Sequence, residues 1–385
     1  MDRIYLCLAH MSGKEQQYIQ EAFDTNWVVP LGPNVNAFEA DLVAFANQRE
    51  KAAPLQKEVV ALSAGTAAIH LGLIMLGVEK GDEVICQSFT FAASANPVVY
   101  QGATPVFVDS ESETYNMDPQ LLEEAIKDRM AKTGKKPKAI IPVYLYGMPG
   151  RIDEILEIAA RYDIPVLEDA AEGFGSKYKG QVCGTFGDYG VMSFNGNKMI
   201  TTSGGGALIC PNEEAKKRVM FYATQAREQF PYYQHEKIGY NYRMSNICAG
   251  IGRGQMTVAD EHIRHHQWVH EQYVQRLEGI DELVVHSAPT NEMEPNYWLS
   301  TIRFNDGKTT INGNLLPLIE KLSAANIETR PLWKPMHLQP IYKDAPAYTN
   351  GVSEKLFSCG LCLPSGPYVG EKEIDYITKS IIANL

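Results

Sequence analysis

Between Glu58 and Glu168, short runs rich in apolar and β-branched residues alternate with runs of helical periodicity, and this alternation limits the fold more than any other feature of the chain. Residues 59–62 (VVAL), 83–87 (EVICQ) and 104–109 (TPVFVD) read as strands, and residues 67–76 (AAIHLGLIML) and 93–101 (ASANPVVYQ) as helices. The same rhythm predicts a helix over Pro119–Met130, a strand at Ala139–Val143, a helix at Ile152–Tyr162 and a strand at Pro165–Glu168. Almost wholly apolar strands joined by helical crossovers form parallel sheets covered on both faces. The expected class is therefore α/β with a mainly parallel sheet. Ligands in such sheets collect beyond the carboxyl ends of the strands. Those ends carry Ser63-Ala64-Gly65-Thr66, Ser88 to Phe91, and Asp169.

The flanks read differently. Residues 14–25 place Tyr18, Ile19, Ala22 and Phe23 on one helical face, a second helix is expected from Val35 to Ala46, and a Pro- and Gly-containing loop with Trp27 lies between them. After Ala223 the chain turns aromatic and polar, with an ordered loop expected over 230–246. A long helix from Ser245 to Leu277, a strand at Trp298–Phe304, a helix at Leu315–Ala325, a loop bearing Arg330, Trp333, Lys334 and His337, and a terminal helix from Glu373 follow. The 385 residues thus divide into an expected large domain over 1–245 and a smaller α+β domain over 246–385.

Several function classes lose support from composition. A formal net charge of −11 argues against nucleic acid as the main partner. No apolar run approaches a membrane span. The short apolar stretch Ile4–Ala9 follows a single arginine and leads to His10 rather than to a small-residue cleavage site, so a cytoplasmic location is expected. Seven scattered cysteines fit reduced thiols. The one C-x-x-C, Cys359 and Cys362, has no second pair and no nearby histidine cluster, and no metal is expected. Neither a Walker loop nor a G-x-G-x-x-G after a strand is present, which weighs against nucleotide hydrolysis and dinucleotide binding.

Chemistry points to the stretch 193–206, SFNGNKMITTSGGG. Its single lysine, Lys198, stands among small and glycine residues, where a lysine on a solvated helix face would have charged neighbours. A lysine amine becomes a nucleophile when desolvated or set beside another cation. Bound pyridoxal 5'-phosphate (PLP) would need an amine for its aldehyde, a carboxylate for its ring nitrogen, a flat side chain over one face and donors for its phosphate. Lys198, Asp169, Phe91, and the Gly65-Thr66 turn with Ser193 are suitable. Each also has a plainer reading: a solvated loop lysine, a structural carboxylate cap, a core phenylalanine, an ordinary strand-to-helix turn.

The motifs SAGTAA (63–68), SFTFAAS (88–94), EDAAE (168–172), SFNGNK (193–198) with TTSGGG, and GYNYRMSN (239–246), in that order, resemble the DegT/StrS-type nucleotide-sugar aminotransferases almost end to end. The TQARE, ETRPLWKPMH and LPSG segments are more similar still to the transaminases of UDP-bacillosamine synthesis. The resemblance implies an aspartate-aminotransferase-like (PLP fold type I) large domain and a homodimer with shared sites. By position it implies that Lys198 carries the cofactor's aldehyde and moves a proton, and that Asp169 pairs with the pyridine nitrogen. It further implies that Phe91 stacks on the ring, that Gly65, Thr66 and Ser193 contact the phosphate, and that Asn241 and Arg243 reach into the partner's site. Arg227, Arg330 and His337 would lie near the sugar nucleotide or the amino donor. Glu172 and Asn195 also fall among the cofactor contacts; many relatives carry glutamine or histidine at the first and histidine at the second, and the bacillosamine-type members share this chain's residues. Relatives with histidine in place of the lysine dehydrate sugars, and Lys198 argues against that chemistry. The implied reaction moves an amino group from L-glutamate to C4 of a UDP-4-keto-6-deoxy-N-acetylhexosamine. Other PLP chemistry on this fold and a non-catalytic PLP sensor are the alternatives. Cys183 and Cys210 sit in poor company for desulfuration, and no segment is left over for a signalling module.

Overall fold

The computed structural model describes every residue except Met1 and Lys51. The alternating segments build one continuous sheet. Its strands are β1 (Glu58–Leu62), β2 (Glu83–Gln87), β3 (Thr104–Val108), β4 (Ala139–Ile141), β5 (Leu167–Asp169), β8 (Tyr189–Ser193), β9 (Gly206–Cys210) and β14 (Ala347–Tyr348). Ladders run β1-β9-β8-β5 and β14-β3-β2-β4, and the bridges Ile140–Val166 and Val143–Asp169 join β4 to β5. All neighbours are parallel except β9, which runs antiparallel to both β1 and β8. Val84, Ile85, Cys86, Val106, Phe107, Val108 and Ile140 are fully buried, as expected of strands covered on both faces. The helix Gly65–Met75 lies so close to the sheet that a Cβ at Gly72 would stand 2.8 Å from Cδ1 of Leu167. Glycine is the residue type that permits this approach.

Most boundaries agree with the sequence reading, and several do not. The helix expected over 93–101 is a 3₁₀ turn, Ala92–Ser94, followed by a single short helix, Asn96–Tyr100, because Pro97 is tolerated only in the first turn. The long helix from Ser245 is two, Asn246–Met256 and Ala259–Leu277, broken at the β-branched pair Thr257-Val258, where Val258 has φ −125°. The strand expected at Pro165 begins at Leu167, and the terminal helix starts at Glu371. Strands β8 and β9 and the helix Glu213–Ala223 have no counterpart in the sequence reading.

A second, antiparallel sheet comprises β10 (Leu283–Val285), β12 (Ser300–Phe304), β15 (Gly360–Leu363) and β13 (Arg330–Pro331). It packs through Ile302, Phe304, Leu361 and Leu363 against the helices Ala259–Leu277, Leu315–Ala324 and Glu371–Ile382. A small sheet has the order β11 (Met293–Glu294), β6 (Lys177–Tyr178), β7 (Gln181–Val182). The chain crosses between these bodies several times. Ile4 bridges Ile327, β14 pairs with β3, and the Asn246 side chain accepts from the Asn34 amide at 2.9 Å, seating Asn246–Met256 against the N-terminal helices. Among the described residues no helix is long and apolar enough to cross a membrane.

Candidate active site

Gly206 pairs with Leu62 of β1 on one side and with Ser193 of β8 on the other. That register places three chain turns side by side: the start of the helix Gly65–Met75, the end of β8, and the beginning of β9. The connection from β8 to β9 folds back on itself, with Phe194 N–H donating to Gly205 O, Thr202 N–H to Phe194 O and Lys198 N–H to Asn195 O, each at 2.9 Å. Lys198 thus stands on a loop whose two ends are stitched together. Beyond the ends of β1, β5 and β8 lies a cavity of about 280 Å³. Gly65, Thr66, Phe91, Asp169, Glu172, Ser193, Asn195 and Lys198 all line it, with Trp298 and Trp333.

Three charged side chains meet there. The Lys198 amine lies 3.4 Å from Oε1 of Glu172 and 3.9 Å from the centre of the Trp298 ring. Asp169 is buried; its Oδ2 accepts from Ser94 Oγ at 2.6 Å and its Oδ1 from the Ala171 amide at 3.1 Å. Burial holds its carboxyl above the usual range, against the pull of Ser94, Ala171 and the Lys198 charge. Glu172 accepts from the Tyr146 amide at 2.7 Å. Burial raises its carboxyl too, Lys198 lowers it and Asp169 raises it further. Glu168, next to Asp169 on the strand, faces the opposite side and works as scaffold: fully buried, it accepts from the Gly184 amide at 2.9 Å and from the Tyr144 hydroxyl.

The remaining candidates lie elsewhere in this chain. His337 is occupied by Ser88 Oγ at 2.6 Å and Glu354 Oε1 at 3.2 Å, tying the 333–338 loop to the end of β2. Arg330 is exposed and paired with Glu328 at 2.8 Å. Arg227 is exposed and lies 4.2 Å over the Tyr233 ring. Asn241 is exposed and bridges Thr224, and Arg243 bridges Leu62 with its Nε buried and without a hydrogen-bond partner among the described residues. Sequence reasoning missed Ser94, Trp298 and Trp333 as site residues. Ser94 and Trp333 carried a signal, since they lie in the SFTFAAS and ETRPLWKPMH segments; Trp298 comes from a distant segment and carried none.

The donor set fits PLP on structural grounds alone. The helix Gly65–Met75 begins without a side-chain cap, so its first amides are free for an anion, which the N-terminal end of a helix attracts. A Cβ at Gly206 would fall 2.3 Å from Gly65 N, so this corner is kept open by glycine. At the far side burial pushes the Asp169 carboxyl above its ordinary range, with Ser94, the Ala171 amide and the Lys198 charge opposing that shift, and a protonated ring nitrogen would give it a cationic partner. Phe91, an exposed aromatic edge-on to Trp333 at 4.8 Å, presents a flat surface to the cavity.

Fold and cavity together define an aspartate-aminotransferase-like, PLP-dependent enzyme. The DegT/DnrJ/EryC1/StrS aminotransferase family model matches residues 9–382, and the chain belongs to that family. It is a PLP-dependent sugar aminotransferase. It is 45% identical over 378 residues (96% of this chain, 93% of the relative) to EpsN of Bacillus subtilis (strain 168), whose name assigns it provisionally to the PLP-dependent aminotransferases. It is 36% identical to GDP-perosamine synthase of Escherichia coli O157:H7, over 96% of this chain and 95% of that one. Among solved structures, the PLP form of Spr1654 from Streptococcus pneumoniae, provisionally named a sugar aminotransferase, superposes with a TM-score of 0.89 at 25% identity, covering 99% of this chain and 98% of that one.

Proposed function

We propose that this enzyme transfers an amino group from L-glutamate to C4 of a UDP-4-keto-6-deoxy-N-acetylhexosamine. The observation that carries the reading is the convergence of Lys198, Asp169 and Glu172 on one cavity beside the uncapped helix at Gly65. When bound, PLP supplies an electron-accepting ring that makes the donor's α-carbon acidic. Lys198 anchors it and afterwards holds the migrating proton on Nζ. Asp169 keeps the ring nitrogen charged, Gly65, Thr66 and Ser193 hold the phosphate, and Phe91 with Trp333 shields the ring from water. Glu172 fixes the Lys198 amine, and Asn195 supports the lysine loop through its carbonyl.

A cavity of about 280 Å³ falls just below the usual span of ligand sites, which run from roughly 300 to 1,000 Å³. It suits the cofactor and the reacting carbon better than a whole nucleotide sugar. The nucleotide therefore lies outside it, and we assign its remaining contacts to a homodimer in which Arg227, Asn241 and Arg243 serve the partner's site. His337 acts through the loop it ties down, the loop that carries Trp333 to the cavity, and Arg330 stands near the start of that loop. The UDP assignment follows the TQARE, ETRPLWKPMH and LPSG segments. A GDP-linked keto sugar is the second reading, favoured by the likeness to GDP-perosamine synthase.

The test offers UDP- and GDP-linked 4-keto-6-deoxy sugars in competition, with L-glutamate, and identifies the aminated product by mass. Amination of the UDP sugar, lost in Lys198→Ala, is expected. Exclusive turnover of the GDP sugar selects the second reading, and undiminished turnover by Lys198→Ala refutes the site.

A further inference from the structure

Both groups that hold the Lys198 amine are tied to one buried turn. Glu172 Oε1 lies 3.4 Å from Nζ, and the Trp298 ring lies beneath it at 3.9 Å. The same indole donates Nε1–H to the carbonyl of Asn197 at 2.6 Å, the peptide group that leads directly into Lys198. Trp298 therefore touches the lysine at both ends, its charge and its backbone. Asn296, fully buried, connects the two anchors: its amide donates to the Glu172 and Phe174 carbonyls at 2.8 and 2.9 Å, and its Oδ1 accepts from the Trp298 N–H at 2.7 Å. Between them Tyr297 has φ +48°, a left-handed conformation that a bulky residue keeps only when its surroundings impose it. The surroundings do so, with the Tyr297 ring stacked on His270 at 3.5 Å and its hydroxyl accepting from the Ala288 amide at 3.1 Å.

A buried tryptophan that merely filled the core would need a partner for its N–H, which Asn197 provides. Packing alone gives no reason for the ring to lie face-on to an amine. An aromatic face attracts the charged form of that amine and gains little from the neutral form. The indole is thus suited to keep a protonated lysine in place and to release it once the proton has left.

We propose that Trp298 is a positioning residue for Lys198. Its N–H fixes the backbone of the lysine, and its ring face, together with Glu172, holds the protonated amine at the cavity wall whenever that amine is not joined to the cofactor. The inference rests on the reading of Lys198 as the anchoring lysine. It forms and breaks no bond of its own; removing the indole leaves the amine free to explore other rotamers, so the steps that need Lys198 slow while donor binding is untouched.

The experiment mixes apoenzyme with PLP, quenches with borohydride at successive times, and follows the reduced lysine adduct by intact mass; steady-state kinetics are measured alongside. Trp298→Leu is expected to form the adduct about tenfold more slowly and to lose about tenfold in kcat, with KM for the donor within about twofold. Trp298→Phe keeps a ring face but loses the N–H, and is expected to lose about threefold in both rates. Its near-preserved volume keeps the test open if the leucine variant does not fold. Trapping by Trp298→Phe at the wild-type rate, or by a folded Trp298→Leu no more slowly than by Trp298→Phe, overturns the proposal. A purely structural role would lower the melting temperature of both variants and leave trapping rates unchanged. Lys198→Ala separates the two levels: loss of the adduct upholds the anchoring lysine whatever the Trp298 variants do, whereas a full-yield adduct removes that reading and this inference with it.

Discussion

Asp169→Asn should make the apoenzyme no less stable and the holoenzyme nearly inactive, and the opposite signs are what make it informative. The side chain is almost fully buried, at 4% exposure, and the amide is isosteric with the carboxylate. Its Oδ1 can still accept from the Ala171 amide, while the new NH₂ meets Ser94 Oγ, a hydroxyl that can turn from donor to acceptor because it also contacts Thr90 Oγ1 at 2.7 Å. Burial raises the folded carboxyl above its ordinary value of 3.8. The group's contribution to stability is therefore complete below that value and is lost as pH rises through the folded one. Once pH exceeds the folded value the wild-type apoenzyme bears a buried charge that asparagine lacks, so there the variant should melt at the same temperature or higher, the difference closing in acid. In the proposed role the carboxylate would pair with the cofactor's protonated ring nitrogen, and removing one member of a buried pair costs about 3–5 kcal/mol. At 1.4 kcal/mol per decade, kcat/KM should fall by roughly two to three and a half decades. Calorimetry of the apoprotein from pH 4 to 8 and initial rates by product mass supply both halves. A variant retaining kcat/KM within about threefold would refute the assignment, and a strongly destabilised apoprotein would refute the burial argument.

Gly206→Ala should weaken PLP binding about 10- to 100-fold in an absorbance titration of apoenzyme, because the added Cβ meets backbone atoms of Ala64 and Gly65 that cannot move cheaply. Gly204→Ala, whose Cβ would meet nothing within 4 Å, is the control, and equal loss in both would remove the cradle argument. Acid should unfold the protein by way of the helix Ala259–Leu277. Burial depresses His266 and His270 to about 3, so the folded state refuses protons that the unfolded state accepts near 6.5. Stability is then full above about pH 6.5 and falls toward pH 3 by about 1.4 kcal/mol per pH unit for each histidine. His266→Gln should reduce that slope by one such increment in urea titrations, and an unchanged slope would exclude His266 as the titrating group.

The periodicity of residues 58–168 was enough to find five strands and their intervening helices, because apolar strands and amphipathic helices bury surface locally in ways a short window records. It failed at β8 and β9. Those strands flank a loop whose glycines and polar residues dominate the window, and their burial comes from being inserted between β1 and β5. Ser245–Leu277 failed for the converse reason: helical residues continue across Thr257-Val258, and the break is imposed by where each half packs. Of the site, Gly65, Thr66, Phe91 and Asp169 at strand ends and Ser193, Asn195 and Lys198 of the lysine loop were identifiable, and they do line the cavity. Arg227, Arg330 and His337 stood out as basic residues near suitable motifs, but a residue type in a sequence carries no direction, and each has found a neighbour outside the cavity.

What the sequence by itself determined, then, is the layered sheet and the chemistry offered at the ends of its strands, since both depend on short stretches of chain. What only the tertiary structure decided is the company each group keeps. Strand order β1-β9-β8-β5 brings Gly65, Ser193 and Asp169 into one wall, and the C-terminal half delivers Trp298 to a lysine loop 101 residues before it. Neighbours of that kind are chosen by the packing of whole elements, so no local pattern records them.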